Sequence, residues 1–234
     1  MKAGGLWVAA LLQVALAPVL TGAIYIYIRD KYEKEPIKLL ALGLLFGLII
    51  AAPIMGAEMF LSSFTPVRGE TEEALYTAFI VAAGTEEFFK FIVLYFLVWR
   101  NRNFNEPIDG IVYSTFISLG FSGIENILYV FNPYLGGYQT GLARAVFSVP
   151  GHALFGVTMG YYYAIAKFES NQKKTMLLKT YLVPWIFHGI YDFILLAKIP
   201  MLMLLFVPFV LYLWVQGMRK IKIHVQSSPF KPRE

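Results

Sequence analysis

The sequence predicts an all-α fold, a polytopic membrane bundle of about seven transmembrane helices, and three observations carry that expectation. The composition is 58% hydrophobic and 15% charged, with a mean hydropathy of +0.60, outside the range of soluble globular domains. Seven long apolar segments recur along the 234 residues, each close to the length that crosses a bilayer. The basic residues between them alternate in density from one connection to the next.

The first segment, 5–28, is too long for the apolar region of a cleavable signal, and Pro18 follows the one A-x-A pattern at Ala15–Ala17. It is therefore expected to remain as a span. The following segments are 37–55, 74–99, 110–131, 142–168, 180–197 and 199–218, the last two joined by a tight turn near Lys198 and Pro200. The longest connection, 56–73, contains "SSFTPVRGETEE" and reads as an acidic external loop. Neither it nor the basic tail 219–234 is long enough to build a core of its own. The pairs Gly43/Gly47 and Gly156/Gly160 have the spacing of close helix packing. Tyr161, Tyr162 and Tyr163 have the character of an interfacial aromatic belt, and His224 in the tail receives no role.

Of the twenty Lys and Arg, fifteen lie after spans one, three and five or in the tail. Four lie on the opposite side, Lys2, Arg68, Arg144 and Lys198, and the remaining one is Lys90 inside the third span. That asymmetry predicts an external N-terminus and a cytoplasmic C-terminus. The same basic residues sit in short inter-span segments, so the net charge of +5 orients a membrane protein and argues against nucleic acid as a partner. With no cysteine, thiol nucleophiles, disulfides and Cys-based zinc sites are excluded.

The third span holds "GTEEFFKFIV", with Glu86, Glu87 and Lys90 in its middle. Its thirteen Leu, Ile, Phe and Val favour insertion by about 4–8 kcal/mol, whereas three central charges cost about 7–10 kcal/mol. The helix therefore needs neighbours, a wet cavity or neutralised charges. Lys90 follows Glu86 by four residues and Glu87 by three, within side-chain reach on a helix. Because adjacent residues point about 100° apart, one glutamate is expected to face Lys90 and the other a cavity. Glu125 lies in the fourth span, His152 in the fifth, and His188 with Asp192 in the sixth. Counted inward from the external ends at the helical rise, these residues lie about 8–18 Å deep. A single polar cavity reached from outside is the economical reading.

Two imidazoles with several carboxylates suit water activation. A carboxylate near neutral pH can act as acid or base when its surroundings hold a proton on it, and Asp192, four residues after His188, can fix that ring's tautomer. His152, His188 and Glu125, or Asp192 in place of Glu125, have the ligand types of a catalytic zinc site. The same imidazoles can hold an oxyanion without a metal. No HExxH motif is present, so one divalent metal such as zinc and a metal-free glutamate mechanism both stay open. Carboxylate and histidine relays also mark ion pathways, which keeps a proton-coupled transporter or channel as an alternative.

Glu86-Glu87-x-x-Lys90, Phe121-x-x-x-Glu125, His152-x-x-x-Gly156 and His188-x-x-x-Asp192, each on its own span, resemble the motifs of the PrsW family of bacterial membrane proteases. That family is similar in turn to CAAX-processing and bacteriocin-immunity-type membrane endopeptidases. The resemblance implies site-1 cleavage, on the external side, of a single-span anti-sigma factor in the bacterial cytoplasmic membrane. It implies essential roles for Glu86, Glu87 and His188, with Lys90, Glu125, His152 and Asp192 completing the site. The implied organisation is one protease domain, 1–218, with its motifs within 74–197, followed by the tail 219–234. CAAX-processing relatives carry Arg after the double Glu and His in the second motif. Lys90 and Glu125 stand there in this chain, which ranks prenyl-protein cleavage below the anti-sigma reading.

Overall fold

The computed structural model describes residues 2–66 and 69–232; Arg68 and Arg233, both counted in the charge asymmetry, lie outside them. The helices are α1 (Lys2–Arg29), α2 (Ile37–Ile49), α3 (Ala51–Ser62), α4 (Glu70–Tyr76), α5 (Ala83–Val98), α6 (Pro107–Val130), α7 (Tyr138–Val146), α8 (Ser148–Phe168), α9 (Lys173–Leu196) and α10 (Pro200–Gln226). A π-helical segment, Thr77–Ala82, joins α4 to α5, and a short 3-10 turn, Ser170–Gln172, precedes α9. No strand occurs among the described residues. Four stretches are long and apolar enough to cross a membrane, namely Gly5–Arg29, Ile37–Ser62, Pro107–Val130 and Pro200–Gln226.

Helix α6 is the axis of the bundle, buried continuously from Ile108 to Gly123 and packed most extensively on α8 and α2. Its small residues allow that burial. A methyl group on Gly160 of α8 would fall 2.1 Å from the Gly110 carbonyl oxygen, and one on Gly120 would fall 2.1 Å from the Leu44 oxygen of α2. Backbones this close need glycine, as small residues at membrane helix crossings generally do. Ser114 adds a hydrogen bond across the seam, its hydroxyl donating to the Gly156 carbonyl at 2.7 Å. Helix α1 is fastened to α6 by Asn126, whose side-chain amide donates to the Ala15 carbonyl at 2.8 Å.

Two expected spans are interrupted, for one reason. A proline ring clashes with the carbonyl four residues earlier and lacks the N–H that would bond it. Pro53 stands four residues after Ile49, where α2 ends, and Pro150 four after Val146, where α7 ends. The segment expected as 142–168 is therefore a short α7 and a long α8 divided at Phe147. The expected loop 56–73 is largely helical, because α3 continues to Ser62 and α4 begins at Glu70. Glu70, Glu72 and Glu73 lie in the first turn of α4, where acidic side chains favour the helix dipole.

Helix α10 runs to Gln226, so half of the expected tail is helical. His224 is buried there; its Nε2–H donates to the Tyr161 carbonyl at 3.0 Å and its ring stacks on Tyr161 at 4.4 Å. Tyr163 departs from the expected belt: it is fully buried, stacked on Phe104 at 5.4 Å, with its hydroxyl donating to the Leu94 carbonyl. Tyr113 of α6 donates its hydroxyl to Glu35 in the α1–α2 connection. Burial, with Asp109 alongside, pushes the Glu35 carboxyl up to about 10.

The π-helical turn is clamped by α9. Trp185 donates its indole N–H to the Phe79 carbonyl at 2.6 Å, and the Tyr181 hydroxyl donates to the Gly84 carbonyl at 3.2 Å. These bonds occupy carbonyls whose ladder partners are displaced by the wider turn. Gly189 permits the approach, since a methyl group there would lie 2.4 Å from the Phe79 ring. The start of α5, which carries Glu86 and Glu87, is thereby held against α9 and its His188.

Candidate active site

Glu86 and Glu87 sit one turn beyond the π segment, and both are reached by the same ammonium. Lys90 Nζ lies 3.0 Å from Glu86 Oε2 and 2.8 Å from Glu87 Oε1. The expectation that only one glutamate faces Lys90 is corrected. Positions three and four residues back flank the same helix face, and a four-carbon side chain centred between them touches both. Nζ also lies 3.2 Å from His152 Nδ1 and sits 4.4 Å from the Phe121 ring centre. Lys90 and Glu87 are fully buried. Two carboxylates and one ammonium without water are tolerable only with this degree of mutual contact.

The two imidazoles arrive from α8 and α9 in similar poses. His152 places Nε2 2.9 Å from Glu125 Oε2, and His188 places Nε2 3.3 Å from Asp192 Oδ2. Each Nδ1 therefore points inward. His152 Nδ1 lies 3.8 Å from Glu86 Oε2; His188 Nδ1 lies 3.0 Å from Glu87 Oε1 and 3.9 Å from Glu86 Oε2. A carboxylate behind a ring fixes its tautomer and strengthens the opposite nitrogen as base or ligand. The rings meet edge to face at 5.2 Å, and Phe155 stacks on His188 at 4.7 Å, holding its plane.

The seven sequence-predicted residues thus form one connected constellation, and its exposure is graded. Glu87 and Lys90 have fully buried side chains, Glu86 keeps 6%, and Glu125 and Asp192 keep 20% and 22%. Exposure thus rises from the buried centre outward to Glu125 and Asp192. Two participants were not anticipated. Arg144 of α7 pairs with Glu125 at 2.9 Å and donates to Asn126 Oδ1 at 2.9 Å, bracing the partner of His152. In sequence it was only a loop charge, although a lone Arg beside an intramembrane Glu-Asn pair is the available signal. Glu58 of α3 lies within electrostatic range of Glu86 and Glu125.

One ligand atom each from Glu86, Glu87, His152 and His188 falls within 4.8 Å of all the others. This group differs from the expected set of His152, His188 and Glu125, because Glu125 stands behind the outer nitrogen of His152, where it orients the ring. The donors fit a divalent metal of the zinc type, being nitrogens and carboxylate oxygens. One further observation agrees: Glu87 Oε2 is buried without a hydrogen-bond partner.

Comparison with known proteins agrees with the resemblance. The family model described as "PrsW family intramembrane metalloprotease" matches residues 35–215. A protein named Protease PrsW from Geobacillus kaustophilus is 39% identical over 213 residues, covering 91% of each chain. Those of the same name from Clostridioides difficile and Bacillus subtilis are 35% and 33% identical, covering 92% and 91% of this chain and 91% and 94% of theirs. No solved structure matches the chain.

Proposed function

The chain belongs to the PrsW family of intramembrane proteases, and on that premise we propose that it makes the first cut in a single-span, anti-sigma-type membrane protein, with Glu86 activating the attacking water. As a family member it is a multi-pass membrane protease, and the transporter and CAAX-type alternatives give way to that assignment. The observation that carries the mechanism is the paired carboxylate–imidazole arrangement, in which Glu125 and Asp192 turn two Nδ1 atoms toward Glu86 and Glu87.

Glu86 is the water-activating residue because it alone of the central pair keeps some exposure, and its polar contacts all run through Oε2. Oε1 remains for a water molecule. In the reaction that carboxylate takes a proton from water as the oxygen attacks the scissile carbonyl carbon. It then delivers the proton to the leaving amine nitrogen as the C–N bond breaks. Lys90 balances the charge of the paired glutamates while this proton moves. A divalent metal, held by His152, His188 and the glutamates, would polarise the carbonyl and ease ionisation of water.

The topology supports cleavage at the external face. This reading takes α2–α3 and α4–α5 as single crossings and, with α1, α6, α8, α9 and α10, counts seven spans. With the orientation expected from the loop charges, the more exposed Glu125 and Asp192 side would face outward. The test is co-expression with a tagged single-span substrate, comparing wild type with Glu86→Gln. Loss of the cleaved fragment in the variant, with the new terminus on the external side of the span, fits this reading. Undiminished cleavage by the variant, or a cytoplasmic scissile bond, overturns it.

A further inference from the structure

A second group of carboxylates lies far from the first. Asp30 follows the last turn of α1, Glu106 is the N-cap of α6, and Asp109 stands in the first turn of α6. All three are fully buried, and one oxygen from each falls within 4.8 Å of the other two. Local structure accounts for part of this. Asp30 Oδ2 accepts the Glu35 backbone N–H at 3.1 Å, and Asp109 Oδ2 accepts those of Asn105 and Glu106 at 2.9 and 2.8 Å.

Most of the remaining oxygens are not accounted for. Asp30 Oδ1 and both oxygens of Glu106 are buried without a hydrogen-bond partner, as are Glu33 Oε2 and Asn105 Oδ1 beside them, whereas Asp109 shares a hydrogen bond with the protonated Glu35 carboxyl. The Glu106 side chain faces the Asp109 backbone N–H as one half of a capping box, at a geometry too loose to satisfy either oxygen fully. No Lys, Arg or His nitrogen among the described residues lies within 4.0 Å of the three carboxylates. Of the basic residues near Asp30 in sequence, Arg29 donates to the Tyr25 hydroxyl, Lys31 lies over the Tyr32 ring, and Lys34 directs its ammonium to the carbonyls of Tyr27 and Asp30. Buried polar atoms in folded proteins are almost always satisfied, and buried charges are paired or coordinate metals.

We propose that Asp30, Glu106 and Asp109 bind one hard divalent cation of the magnesium or calcium type, which ties the C-terminus of α1 to the N-terminus of α6. The donors are all oxygen, and oxygen-only sets select hard ions over zinc or copper. The last-turn carbonyls of α1 add a favourable partial charge. About 24 Å of helix separates Asp109 from Glu125, so this site is distinct from the catalytic cluster and does not rest on the proteolytic reading. Its role is to hold two helices of the bundle together at the end remote from that cluster.

The test is manganese binding to the purified full-length protein in detergent micelles, counted by electron paramagnetic resonance after removal of bound metals. Magnesium and calcium serve as competitors. Wild type and Glu86→Gln are expected to retain a manganese equivalent that magnesium or calcium displaces. Glu106→Gln and Asp30→Asn are expected to weaken it at least tenfold. The melting temperature of wild type should rise with added magnesium, and that of Glu106→Gln should not. No saturable binding to wild type, or equal binding in all four proteins, overturns the proposal and leaves a cluster held by shared protons. Should a variant fail to fold, Asp109→Asn provides the same comparison, and the wild-type isotherm with its displacement by magnesium decides alone.

Discussion

His188 Nδ1 lies 3.0 Å from Glu87 Oε1, and Asp192 Oδ2 lies 3.3 Å behind the other ring nitrogen. This line of three groups joins α9 to α5 through the candidate site. Removing its middle member by His188→Ala, or replacing Glu86 or Glu87 by Gln, is expected to reduce substrate turnover by about 10²–10⁴-fold. Initial cleavage rates in proteoliposomes measure this. Unaltered rates in all three variants would refute the assignment of the centre.

Lys90 is the counter-ion of both glutamates in the candidate site. Lys90→Met leaves two buried carboxylates facing each other without a cation, and breaking such a pair costs about 3–5 kcal/mol. The variant is expected to melt at clearly lower temperature in detergent. The double variant Lys90→Met/Glu87→Gln should recover part of the loss, since it also removes one of the stranded charges. A double variant no more stable than the single one would contradict the pairing.

Glu125 and Asp192 touch rings and not, on this geometry, the reacting atoms. Glu125→Gln and Asp192→Asn are therefore expected to cost less than the loss of an imidazole, about 10–100-fold in activity or metal affinity. Arg144→Ala should follow Glu125→Gln in the same assay, because it acts through that carboxylate. Losses equal to those of His188→Ala would instead place these acids on the substrate.

Stripping metal should silence the enzyme. The four inward donors include two imidazoles and two carboxylates within 4.8 Å, nitrogen and oxygen ligands that a divalent metal such as zinc accepts. Incubation with a chelator is expected to abolish cleavage, and zinc at low concentration should restore it to the wild type but not to His152→Ala. Cleavage that survives exhaustive chelation, with no metal found by elemental analysis, would assign the chemistry to the glutamates alone.

The close crossings are open to direct measurement. Gly160→Ala drives a methyl group against the Gly110 carbonyl, and Gly189→Ala drives one into the Phe79 ring. Each is expected to destabilise by about 1–3 kcal/mol, as overpacking does. Gly56→Ala, where nothing lies within 4 Å, is the control and should leave stability unchanged. Equal melting temperatures for all three would argue against these crossings.

Much of the site was legible in the sequence because charge is costly in an apolar helix. Glu86, Lys90, His152 and His188 stand out against Phe, Leu and Ile, and helical spacing brings Lys90 within reach of its two acids. What sequence could not supply is rotation and depth across different helices. Nothing in the chain order shows that Arg144 returns to Glu125, or that Glu125 stands outside His152. The Asp30–Glu106–Asp109 group was missed for another reason. Acids at span ends look solvated, and only burial reveals that some of their oxygens lack partners. The breaks at Ile50 and Phe147 were in principle readable, since Pro53 and Pro150 each forbid the helix four residues back.

The π-helical turn Thr77–Ala82 has a further consequence for how the chain is wired. A wide turn accommodates one additional residue, so side chains after it are rotated by about 100° from where an unbroken helix would aim them. The azimuth of Glu86 and Glu87 is thus set by a local insertion and not by the preceding stretch from Glu70 to Tyr76. Shortening that turn by a single residue would swing both acids off the His188 side while leaving α4 where it is.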